Sequence, residues 1–93
     1  MLFEESEKVE LKRCINFNIA KEIIAFANTF GGTIYVGVDN NGTICGIDNF
    51  DFNCQQIANI VRDTIKPDVS MFVSYEKLLI DTKVGLKITD QPG

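Results

Sequence analysis

Apolar and polar residues along this chain alternate with two different periods, and each change of period marks a new element. Residues 8–12, Lys-Val-Glu-Leu-Lys, alternate charged and apolar side chains, the period of a half-buried strand. That parity predicts Val9 and Leu11 toward the core, with Lys8, Glu10 and Lys12 together on the opposite face. The Glu4, Glu5, Ser6 and Glu7 that precede it are too polar for a core element and read as an exposed lead-in. The period then lengthens. Ile19, Ile23, Phe26 and Phe30 fall at helical spacing, with Ala20 and Ala27 at the edges of the stripe, and predict an amphipathic helix of about three turns. Asn16 and Asn18 are both candidate N-caps for it. Gly31 suits a left-handed C-cap, and Gly32 lets the chain leave the helix without a Cβ clash.

Residues 33–39 return to period two, with Ile34, Val36 and Val38 on one side and Thr33, Tyr35, Gly37 and Asp39 on the other. Asn40-Asn41-Gly42 is a hairpin turn signal, so residues 43–47 are expected to return as an antiparallel strand. Residues 48–52 read as a loop. Asn53 and Gln56 have capping-box spacing ahead of a second stripe, Cys54, Ile57, Ala58, Val61 and Ile65, on a helix of about 13 residues that Pro67 stops. Strand-like patterns follow over residues 69–75, 78–80 and 84–88, read as two or three strands with a turn near residues 75–77. Residues 89–93 read as a closing loop.

The predicted fold is α+β: a two-layer α/β sandwich in the order β-α-β-β-α-β-β, with two helices on one face of a four- or five-stranded mixed sheet. Both helices are expected on the face that carries Ile34, Val36 and Val38. The other face would gather Lys8, Glu10, Lys12, Tyr35, Gly37 and Asp39. A length of 93 residues makes residues 1–93 a single domain.

Composition narrows the chemistry. A hydrophobic content of 45% is that of a globular chain. No apolar run approaches the roughly 20 residues that span a bilayer, and Glu4 and Glu5 follow Met1-Leu2-Phe3 with the wrong charge for a secretory leader, so a cytoplasmic location is expected. Histidine is absent, which removes the commonest general base and the usual triads. Cys14, Cys45 and Cys54 lack zinc-ligand spacing and are expected as reduced, mostly buried thiols. The net charge of −4 is unlike that of a free-standing nucleic-acid binder, so any such role needs a local basic face or help from elsewhere in a longer protein. Gly31-Gly32 is no phosphate loop: no Gly-Lys-Ser/Thr follows, and the pair ends a helix rather than opening one. Asn28 places an amide in the last helical turn, where it could meet a neighbouring strand or a bound phosphate.

Glu5-Ser6, Val9-Glu10-Leu11-Lys12, Ala25-Phe26-Ala27-Asn28-Thr29 and the run from Gly31 through Gly37-Val38-Asp39, with Gly42, Ile44 and Gly46-Ile47, together resemble the Schlafen AlbA-type domain. This module is also labelled a DNA-binding or divergent AAA domain. The resemblance implies the N-terminal part of a longer, transcriptional-regulator-associated or RecG-like protein. It implies a nucleic-acid-binding domain with DNA or RNA as the partner, met through the full-length protein; the local cluster Lys8, Lys12, Arg13 and Lys21, with Asn28, supplies the candidate contacts. The alternative it implies is a divalent-cation-dependent endoribonuclease, with Glu5, Glu10 and Asp39 as catalytic residues and ligands of Mg or Mn. Leu11 stands where the family more often has an aromatic. The ribonuclease relatives pair two copies of the fold around a basic groove, so a single acidic copy is expected to bind rather than cleave unless it forms a homodimer. An exposed edge such as residues 84–88 would be the means of a dimer. The AAA label implies nucleotide binding, but the sequence shows no Walker-type loop.

Overall fold

The computed structural model describes residues 6–16, 18–64 and 73–91. Its elements are β1 (Val9–Lys12), α1 (Asn18–Ala27), β2 (Gly32–Val36), α2 (Phe50–Thr64), β3 (Val73–Ile80) and β4 (Lys83–Asp90). They form one four-stranded mixed sheet in the order β1-β2-β4-β3, parallel between β1 and β2 and antiparallel elsewhere. Ile19, Ile23 and Phe26 from α1 and Ile57 and Val61 from α2 meet Ile34, Val36, Leu86 and Ile88 in one buried cluster. Both helices therefore cover the same face of the sheet, as the two-layer α/β sandwich requires. The order β-α-β-β-α-β-β is present, but its third β element is reduced. Residues 43–47 form no strand of the sheet; they make one bridge, Val38 to Ile44, and the Ile47 N–H donates to the Val84 carbonyl of β4 at 2.8 Å.

Local chemistry explains the boundaries. Asn16 opens α1: its Oδ1 accepts from the Asn18 backbone N–H at 2.9 Å and its carbonyl from that of Ile19 at 3.1 Å. Gly31, at φ 83°, closes it, its N–H donating to the Phe26 carbonyl at 2.9 Å. The next glycine is required by space. A Cβ on Gly32 would lie 2.6 Å from the Phe26 ring, so α1 can rest on the start of β2 only because residue 32 has no side chain.

Several expectations are corrected. Phe30 is not part of the α1 stripe. The helix ends at Ala27 and the left-handed turn leaves the Phe30 side chain 82% exposed. Helix α2 begins at Phe50, before the expected Asn53 cap. Asn49 is the cap, its Oδ1 accepting from the Phe52 N–H at 3.0 Å, and the stretch read as a loop contains the first helical turn. The chain runs straight through residues 75–77 in β3 and turns at Asp81-Thr82, both at positive φ (51° and 65°). Thr89 and Asp90 belong to β4 rather than to a loop. Residues 84–88 lie in a central strand, and β1 and β3 are the edges. Cys14 and Cys45 are exposed. Glu5, Ile65, Pro67, residues 69–72 and residues 92–93, for which the sequence also raises expectations, lie outside the described residues.

The correction with most bearing on function concerns β1. In the parallel register Glu10 pairs with Ile34 and Lys12 with Val36, so these two polar residues share the helix-covered side. Leu11 pairs with Tyr35 on the other side. Leu11 is nevertheless buried, as are Val38 and Ile44, and all three lie outside the main cluster. Ile44 packs where a side chain on Gly85 would point, so the 38–46 hairpin folds over part of the face that was expected to be open. Alternation along one strand gives the parity of its side chains but not which parity meets the core when both sides are partly covered.

Gly32→Ala should destabilise the domain by about 1–3 kcal/mol through overpacking against Phe26, measured by urea denaturation. A midpoint equal to that of the parent would contradict the packing described. Thr82→Gly should instead stabilise it by about 1 kcal/mol, because a β-branched residue in the left-handed region is strained and glycine is not. The same titration checks this, and a loss of stability would contradict it.

Candidate nucleic-acid interface

The residues singled out for function divide into three places. The first is the underside of α1. The Lys12 ammonium bonds Glu22 of α1 at 2.5 Å and lies 4.0 Å from Glu10, with the Lys12 and Glu22 side chains about one-fifth exposed (21% and 22%). Lys12 therefore ties the edge strand to the helix, and its charge is largely spent there. Glu22 was missed by a reading that followed the apolar stripe of α1. It sits one residue before Ile23, on the polar margin of that stripe.

The second place is the far end of β1. Arg13, exposed, approaches Asp39 at 4.0 Å. Asp39 also shapes the hairpin: its Oδ1 accepts from the Asn40 N–H at 2.9 Å, its carbonyl from Gly42 at 2.9 Å, and its own N–H donates to the Thr43 carbonyl at 2.8 Å. Glu10 and Asp39 were expected on one face, and the structure separates them. Glu10 is beside Lys12 on the helix side, and Asp39 is beyond the end of β2 with Arg13. Glu10 and Arg13 are three residue steps apart, about 10 Å along extended chain. Glu5 lies outside the described residues. Among the described residues, no three Cys, Asp or Glu side chains gather as a metal site would require. Glu10 lies 4.0 Å from the Lys12 ammonium and Asp39 4.0 Å from the Arg13 guanidinium.

The third place is the solvent side of α1 and the turn after it. Lys21, Ile24, Ala25 and Asn28 recur at three- and four-residue steps and are all exposed, so they form one strip. Beyond Asn28 the strip reaches Phe30, and the Lys8 ammonium lies over its ring, 5.7 Å from the centroid. The predicted contacts are therefore not one patch. Lys21 and Asn28 lie along the outer side of α1, Lys8 is over Phe30 in the turn after it, Arg13 is at the other end of β1, and Lys12 is beneath the helix.

One further group had no signal in the sequence. Asp90, read as a loop residue, is 1% exposed at the end of β4, and neither carboxylate oxygen has a hydrogen-bond partner. Burial raises its pKa from 3.8 to about 6. Tyr75, on the same side of the sheet, is raised chiefly by burial, with Cys54 and Asp90 adding to the effect.

The fold agrees with the comparisons with known proteins. The family model for Schlafen, AlbA_2 matches residues 5–93. The chain belongs to the Schlafen AlbA_2 family. Among solved structures, it is similar to the N-terminal domain of a RecG-related protein from Nitrosomonas europaea. The TM-score is 0.81 at 20% identity, covering 98% of this chain and 67% of that one. At that identity the likeness concerns the fold alone. No curated protein matches the sequence. In this AlbA_2 domain no helix among the described residues is long and apolar enough to cross a membrane.

The buried carboxyl gives the AlbA_2 domain a measurable pH dependence. The folded pKa of Asp90 lies above its ordinary value, so its contribution is fully present below about pH 4 and is lost as pH rises through about 6. From 3.8 to about 6, at about 1.4 kcal/mol per pH unit, the loss amounts to about 3 kcal/mol. Asp90→Asn should therefore gain stability over the parent on going from about pH 4 to about pH 8, measured by urea denaturation across that range. Parallel curves would contradict this.

Proposed function

We propose that this domain binds nucleic acid along the outer strip of α1 and the β1 edge, as part of a DNA-binding or transcription-associated protein. The observation that carries this reading is the arrangement of charge. A Schlafen AlbA_2 chain of net charge −4 ties one lysine into its fold and leaves Lys21 and Asn28 exposed on the outer side of α1 and Lys8 exposed beside Phe30, after the same helix. Phosphate contact is electrostatic and needs accessible cations, which this strip has and the underside of α1 does not. Binding is favoured over metal-dependent cleavage because Glu10 pairs beside Ile34 within β2, whereas Asp39 lies three residues beyond the end of that strand.

Single-stranded and duplex DNA and RNA at low salt test the reading. Affinity should be weak for the isolated chain, with a Kd of roughly 10⁻⁴–10⁻⁶ M, and should fall as salt rises. Lys8→Ala and Lys21→Ala should each weaken binding and flatten the salt slope without loss of stability. Lys12→Ala should cost about 1–3 kcal/mol of stability, by leaving Glu22 without its partner. Affinity that is absent or independent of salt would overturn the proposal. So would cleavage of structured RNA in Mg or Mn that Glu10→Ala and Asp39→Ala abolish.

A further inference from the structure

Among the described residues, Phe30 is the most exposed large apolar side chain, at 82%. Full burial of such a ring would contribute about 1.5–3 kcal/mol, and the helical spacing of the sequence would have placed it in the core. The turn at Gly31 carries it outward instead. The ring does not stand alone. The Lys8 ammonium lies 5.7 Å from its centroid, and together with Glu7, Thr29 and Gly31 the two line a cleft of about 300 Å³, at the lower end of the range for ligand sites. Asn28 lies two residues before the ring, at the end of the exposed α1 strip.

At 82% exposure the ring keeps surface open to a base beside the ammonium that lies over it, and an unpaired base with its phosphate requires both a ring and a cation. Every base has a π-face that stacks on such a ring, while the flanking phosphate needs positive charge within reach. A base inside a duplex is already stacked on its neighbours and cannot use the ring. We propose that Phe30 is a stacking platform for an unpaired base of single-stranded nucleic acid, with Lys8 holding the adjacent phosphate. This rests on the nucleic-acid reading above and adds to it the strand state of the ligand and the residue that reads it.

The test uses the 93-residue chain and a short single-stranded oligonucleotide, as DNA and as RNA, carrying one fluorescent base analogue, with the matching duplex beside it. The parent should quench the analogue in the single strand and bind it more tightly than the duplex. Phe30→Ala should lose the quenching and weaken single-strand binding roughly ten- to a hundredfold, while duplex binding changes little. Phe30→Trp should retain both properties. Phe30→Leu, apolar but unable to stack, should behave like Phe30→Ala. Lys8→Ala should lower the salt slope for the single strand by about 0.7. Phe30→Ala or Phe30→Leu binding like the parent, or an equal loss for single strand and duplex, would overturn the stacking role while leaving nucleic-acid binding intact. A parent that binds no nucleic acid at all would overturn both. A dimer by light scattering that Phe30→Ala converts to monomer would assign the ring to self-association and overturn the proposal.

Discussion

The ring of Phe26 fills the space that a side chain at residue 32 would need, and the placement of the first three elements follows from that contact. It seats the C-terminal end of α1 on the first residue of β2. The same helix is tied to β1 by the Lys12–Glu22 pair. With the crossover helix fixed to both strands, β1 and β2 lie parallel, with Glu10 beside Ile34 and Lys12 beside Val36. Apolar packing and one half-buried ion pair thus act on the same geometry, and the sides taken by the polar residues of β1 are its consequence.

That geometry determines which charges remain for a partner. Lys12 looks like the centre of a basic cluster in the sequence, but it faces inward beneath α1. A half-buried pair of this kind is costly to break because the remaining carboxylate would keep its burial and lose its counter-charge. Arg13 and Asp39 sit at the other end of β1, where the hairpin turn holds the aspartate through its backbone and side chain. The outer side of α1 carries no ion pair among the described residues. It presents Lys21, Asn28, Phe30 and Lys8 where a ligand can reach them.

Much of the fold was legible because it depends on periodicity. The stripes Ile19-Ile23-Phe26 and Ile57-Val61, the strand around Ile34 and Val36, and the glycines after α1 all follow from local rules. The site was less legible because it depends on register and on endings. Whether Glu10 or Leu11 meets α1 is set by how β1 lies against β2, which no alternation within residues 8–12 reveals. Phe30 matches the helical spacing, but α1 has already ended when the chain reaches it. Asn49 was hidden as a cap by the better-known spacing of Asn53 and Gln56. The turn at Asp81-Thr82 uses a threonine at positive φ, against its ordinary preference. Asp90 has no neighbouring pattern that announces a buried carboxyl.

The central claim is that the domain meets its ligand through the outer side of α1 and the adjoining end of β1, not through the bare part of the sheet. Backbone amide shifts recorded during titration with a single-stranded oligonucleotide address this directly. The account predicts that the largest changes fall on Lys8, Lys21, Asn28 and Phe30. Changes concentrated instead on Tyr35, Glu76 and Lys87, which share the face turned away from the helices, would contradict it.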